Sequence, residues 1–128
     1  MTAGRTLLFT GKGGVGKTTV AAATAVRAAA AGARTIVLST DPAHSLADSL
    51  DVELGTRPTE VVDGLWGQQL DARERMEESW GDIQGWLVDV FEWAGVAGVE
   101  AEELALLPGL EEIFGLVDIK AYAESGEW

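Results

Sequence analysis

Three observations predict an α/β fold with a mostly parallel sheet flanked by helices. An apolar run at 5–10, an alanine-rich run at 18–31 and a β-branched run at 35–40 follow one another, which is the order strand, helix, strand. A helix between two strands gives the chain room to cross back, so the two strands are expected to be parallel. The third observation is the glycine-rich loop that joins the first run to the helix.

Taken in order, Arg5 to Thr10 suits a buried first strand. The first helix runs from Val15 or Gly16 to Ala31 and is closed by Gly32 as its C-cap. Thr35 to Thr40 is the second strand. Between Asp51 and Gly64 the sequence reads as loop, with Gly55, Pro58 and Gly64, and Leu65 to Leu70 reads as a short third strand. Asp71-Ala72-Arg73-Glu74 resembles a capping box and opens a long helix. Along it Met76, Trp80, Ile83, Leu87, Val90 and Ala94 recur at helical spacing, and Trp86, Phe91 and Trp93 widen the apolar face. Gly95-Val96-Ala97-Gly98 should end that helix, a short one should begin near Glu100, and Pro108-Gly109 should precede a last helix from Leu110 to about Ala123. The 128 residues thus form one domain: residues 1–70 carry the strands and the glycine loop, and 71–123 form an inserted helical subdomain.

The loop names the ligand class. Gly11, Gly13, Gly14 and Gly16 have no Cβ, so the backbone can curl and aim successive N–H groups at phosphate oxygens. The helix that follows adds the positive end of its dipole. Lys17 supplies a full charge to the β- and γ-phosphates, and Thr18 a hydroxyl to Mg²⁺. The loop with its flanking strand and helix has the pattern of a P-loop NTPase, and Gly11, Lys12, Gly13, Gly14, Val15, Gly16, Lys17, Thr18 and Thr19 are its candidate nucleotide-binding residues. The second site lies where the second strand ends, at Thr40-Asp41-Pro42-Ala43-His44-Ser45-Leu46. Ligands of open parallel sheets collect at the carboxyl ends of strands, which would bring Asp41 to the nucleotide. Asp41 before Pro42 is equally an N-cap with proline at the first helical position. Spacing alone leaves both readings open.

Lys12 is not needed for a phosphate cradle, and here the sequence resembles a known class. The string Lys12-Gly13-Gly14-Val15-Gly16-Lys17-Thr18-Thr19 is that of the deviant Walker A phosphate-loop ATPases. Ser39-Thr40-Asp41-Pro42-Ala43-His44-Ser45-Leu46 resembles the first switch of one branch of it, the arsenite-pump ATPases and tail-anchored-protein targeting factors. The resemblance implies ATP and Mg²⁺ as cofactors, ATP hydrolysis coupled to client or transport work, and a homodimer in which Lys12 reaches the partner's nucleotide. It also implies that Asp41 orients the attacking water and touches the magnesium shell. Lys12, Lys17 and Asp41 are therefore the candidate catalytic residues, and Thr18 and Asp41 the candidate metal residues. In this family the later helices form an apolar groove for a client transmembrane helix, so a nucleotide-gated client-binding module is a second reading, and a membrane pump subunit is another possible partner. The helical region here holds Met76 as its one methionine and is rich in tryptophan, which departs from a flexible methionine-lined groove. The chain has no cysteine, so metalloid handling by thiolates is not expected. The family's second switch does not appear before Trp128, and the resemblance implies the N-terminal, truncated part of a longer ATPase domain.

Charge narrows the partners further. The net charge is −12. Residues 1–50 hold Arg5, Lys12, Lys17, Arg27 and Arg34 against Asp41 and Asp48, a net of +3, and 19 of the 21 acidic residues follow. Such an acidic second half argues against nucleic acid or an anionic membrane as partner, and with it against a partitioning-type ATPase. The absence of cysteine and of any signal or spanning segment leads to the expectation of a cytoplasmic protein.

Overall fold

The computed structural model describes residues 4–41, 43, 45–95 and 110–128. In chain order these form α1 (Lys17–Ala30), β1 (Thr35–Ser39), α2 (Ser45–Leu50), β2 (Thr59–Val62), β3 (Leu65–Gln69), α3 (Ala72–Trp93) and α4 (Leu110–Ser125). The three strands make one sheet in the order β1-β3-β2. β1 and β3 are parallel, in register from Thr35↔Leu65 to Ser39↔Gln69, whereas β2 runs antiparallel to β3.

Two expected segments are corrected here, and with the first of them the character of the sheet. The stretch expected to be loop before Gly64 contains β2, and the sheet among the described residues is mixed rather than mostly parallel. The cause is local: Val62 pairs with Leu65, so Asp63 and Gly64 alone turn the chain, with Gly64 in the left-handed region at φ 80°. A register shift between Glu60 and Val62 accommodates the tight return.

The second correction concerns residues 5–10, which enter no strand. Leu7, Leu8 and Phe9 are 50%, 64% and 38% exposed. A five-residue apolar run becomes a strand only where a neighbour takes up its N–H and C=O groups. β1 pairs with β3, and no described strand pairs with residues 5–10.

Helices cover both faces of the sheet. Ala22, Ala25 and Ala29 fall on one face of α1, and their small side chains let the helix lie close to Val37 and Leu65, with Leu46 of α2 completing the buried cluster. Side chains alternate along a strand, so Trp66 and Gln68 of β3 point the other way, toward α4. There the Tyr122 hydroxyl donates to Gln68 Oε1 at 2.7 Å, and Gln68 Nε2 donates to the Thr56 carbonyl at 2.6 Å. Trp128 packs edge-on against Trp66, and the Arg34 guanidinium lies over both rings at 4.6 and 4.9 Å.

The helix limits follow their signals. α1 ends at Ala30, and Gly32 adopts φ 92° just beyond it. α2 is stopped by Asp51, a non-glycine residue at φ 53°. Asp71 caps α3, accepting from the Glu74 amide at 3.2 Å. α3 packs against α4 through Arg75, whose guanidinium holds the buried Asp118 carboxylate with Nη2 at 2.5 Å and Nε at 3.2 Å. That hydrogen bond to Asp118 holds the Arg75 pKa above its ordinary value. The expected apolar face of α3 is only partly covered, since Trp86 and Trp93 are 63% and 89% exposed. The short helix expected near Glu100, and the Pro108-Gly109 break, lie outside the described residues.

Candidate functional site

The site gathers at one end of the sheet, where β1 and β3 finish at Ser39 and Gln69 and α1 begins at Lys17. Leu70 N–H donates to the Ser39 carbonyl at 2.8 Å, which ties the two strand ends together as they leave the sheet. This is the crevice outside the carboxyl ends of parallel strands, where ligands of open α/β sheets bind.

The glycine loop enters α1 through backbone that only glycine adopts without strain. Gly14 has φ 76°, and Gly16, the N-cap of α1, has φ 92°. No side chain caps this helix, and its first turn contains no acidic residue. The positive end of the dipole is therefore not offset by a local carboxylate, an arrangement suited to an anion. A Cβ built at Gly13 meets nothing within 4 Å, so the chain's own packing makes no demand for glycine there.

Lys17 folds back across the loop. Its Nζ donates to the Gly11 carbonyl at 2.6 Å, which holds the ammonium over the turn made by residues 11–16. Lys12, Val15 and Thr19 are exposed, and Thr18 is half-buried with its hydroxyl turned toward α2. There Thr18 Oγ1 lies 3.5 Å from Ser45 Oγ. Ser45 Oγ in turn donates to Asp41 Oδ2 at 3.4 Å.

Asp41 does not take the capping role that its place before Pro42 offered. It stands four residues ahead of α2, so it is not the N-cap of that helix. Its Oδ1 instead accepts from the Ala43 amide at 2.9 Å, closing an Asx turn. Its own N–H donates to Ser39 Oγ at 3.2 Å, and its carbonyl accepts from Gln69 Nε2 at 2.7 Å. Pro42 and His44 lie outside the described residues.

The fold thus brings Thr18 and Asp41 to one locus, joined through Ser45. The sequence reading placed Ser45 inside the switch string without a role, and gave Gln69 none. The available signal for Ser45 was a hydroxyl four residues beyond Asp41 at the start of a helix. For Gln69 there was no local signal.

The donor set has a definite character. Among the described residues no group of three or more His, Cys, Asp or Glu side chains converges as a metal cage. Two hydroxyls and one carboxylate suit Mg²⁺, a hard cation that keeps several waters and takes its remaining ligands from substrate phosphates.

Comparison with known proteins places the sequence in a family. The family model described as anion-transporting ATPase matches residues 4–128. A candidate arsenical pump-driving ATPase of Prosthecochloris vibrioformis is 50% identical over 122 residues, covering 95% of this chain and 30% of that protein. One from Aquifex aeolicus is 42% identical over 128 residues, covering 95% of this chain and 32% of the relative. The ATPase ASNA1 homolog 1 of Paramecium tetraurelia is 32% identical over 112 residues, covering 85% of this chain and 33% of its own length. The chain therefore spans about a third of the length of these relatives. A family model matched across residues 4–128, nearly the whole chain, shows that the chain belongs to the anion-transporting ATPase family.

Proposed function

We propose that this chain binds ATP with Mg²⁺ and forms the phosphate-holding part of an ATPase whose hydrolysis drives client or transport work. The observation that carries the reading is the convergence of Thr18, Ser45 and Asp41 beside a loop crossed by Lys17. Backbone amides of residues 13–19 take the phosphate oxygens, and Lys17 exchanges the Gly11 carbonyl for the β- and γ-phosphates. Thr18 and Asp41 would hold Mg²⁺, which would supply charge neutralisation on the phosphates. Asp41 orients the attacking water by accepting a hydrogen bond from it. Lys12, exposed on the loop, reaches the nucleotide of a second copy, which makes the working form a homodimer joined through this face.

The test is a titration of the protein with ATP, with and without Mg²⁺, followed by steady-state hydrolysis. Binding that is tightened by Mg²⁺ supports the reading. No binding under either condition removes it.

A second reading rests on a different observation. Trp86, Val90 and Trp93 leave an apolar strip of α3 exposed, which fits a nucleotide-gated module that receives an apolar helix. The discriminating measurement is whether an isolated apolar helix binds and changes the hydrolysis rate. Hydrolysis indifferent to such a helix removes the second reading and leaves the first.

A further inference from the structure

Gln69 lies at the end of β3, and its side chain is 3% exposed. A glutamine at such a position is unusual, because burying an amide needs partners for both of its ends. The backbone around it is already satisfied: Gln69 N–H donates to the Gly55 carbonyl at 2.9 Å, and the next residue bonds to Ser39. Its side chain turns to the neighbouring strand's exit instead. Nε2 donates to the Asp41 carbonyl at 2.7 Å, while Oε1 has no partner among the described residues. The contact with the Asp41 carbonyl also fixes which end of the amide is which, since only the nitrogen can donate to it. A methionine would fill this place without an unmatched oxygen, so packing does not account for the glutamine.

The consequence runs along a chain of contacts. The Asp41 backbone is held at its carbonyl by Gln69 and at its N–H by Ser39 Oγ. With both backbone groups held, the carboxylate is presented toward the Ala43 amide and Ser45 Oγ, and through Ser45 toward Thr18. We infer that Gln69 is a positioning residue, which sets the switch carboxylate against the Thr18 and Ser45 hydroxyls through its hydrogen bond to the Asp41 carbonyl. This rests on the proposed ATP and Mg²⁺ reading for its functional consequence, and on the fold alone for the tether.

The substitution Gln69→Met tests it, because methionine keeps the length and volume and removes the donor. Two measurements are made on the same protein. In the first, amide hydrogen exchange of residues 40–46 is followed without nucleotide. Loss of the tether is expected to speed exchange there by about three- to tenfold, the range set by losing one net hydrogen bond. Unchanged exchange in this segment overturns the inference whatever the nucleotide data show.

In the second, ATP affinity is compared with Mg²⁺ and with the metal chelated. The variant is expected to keep the parent's metal-free affinity within about twofold and to lose about tenfold of the tightening by Mg²⁺. A parallel fall of both affinities marks a merely structural role and overturns the positioning claim. A parent protein that binds no ATP removes the functional reading of the site, and with it the consequence of the tether for the metal, while the exchange measurement still decides the tether itself.

Discussion

The ammonium of Lys17 bonds to the carbonyl of Gly11 at 2.6 Å, which places a full positive charge over a turn made of uncharged backbone. Replacing it with alanine removes that charge and leaves the amides of the loop without it. Lys17→Ala is therefore expected to weaken ATP binding by about a hundredfold or more, measured by calorimetric titration, because hydrogen bonds to charged groups are the strong ones. Asp41 is expected to behave differently. Its carboxylate touches Ser45 and a backbone amide rather than the glycine loop, so Asp41→Asn should hold metal-free ATP affinity within about threefold, lose the tightening by Mg²⁺, and lower turnover by about a hundredfold or more. Steady-state hydrolysis by the protein carrying this chain checks it, and normal turnover in the variant would take Asp41 out of the chemistry.

The hairpin of β2 and β3 shows how a two-residue turn organises an element. Gly64 sits at φ 80°, and a Cβ added there meets Ala29 and Ala33 atoms only at 3.9 Å, an ordinary contact. The cost of Gly64→Ala thus comes from backbone conformation alone, and is expected to be about 1–2 kcal/mol. A lowered urea midpoint with an unchanged slope is the expected signature. The same turn was legible beforehand, because Asp-Gly flanked by Val61-Val62 and Leu65-Trp66 is a hairpin signal. Reading Asp51 to Gly64 as loop gave too much weight to Gly55 and Pro58 and too little to that dipeptide. Residues 5–10 show the opposite case, because their apolar composition favours a strand and a strand also requires a pairing partner.

At the scale of the whole molecule, α4 and the sheet are joined by the Tyr122 hydroxyl on Gln68. Burial pushes the Tyr122 phenol above its ordinary value of 10.0. Between that value and the raised one, the folded protein keeps a proton that the unfolded chain has released. Stability is thus full below pH 10 and falls as pH rises through the folded pKa. Unfolding free energy measured across alkaline pH should fall more steeply in the parent than in Tyr122→Phe, which has no proton to lose; equal slopes would show that the phenol contributes nothing. Among the described residues, no helix is long and apolar enough to cross a membrane.

The sequence by itself determined the glycine loop, the helices α1, α3 and α4, and the expectation of a phosphate ligand. Each depends on a local pattern: glycine spacing that permits an amide nest, a 3.6-residue apolar period, a capping aspartate. The tertiary structure alone decided the strand order β1-β3-β2, the exposure of residues 5–10, and the parts played by Ser45 and Gln69. Thr18 and Ser45 are 27 residues apart, and Asp41 and Gln69 are 28 apart. No periodicity within either segment states that those side chains meet. Asp41 and Gln69 meet because a parallel ladder sets Ser39 opposite Gln69, and Thr18 and Ser45 because α1 packs against α2; both pairings exist only when the chain has folded.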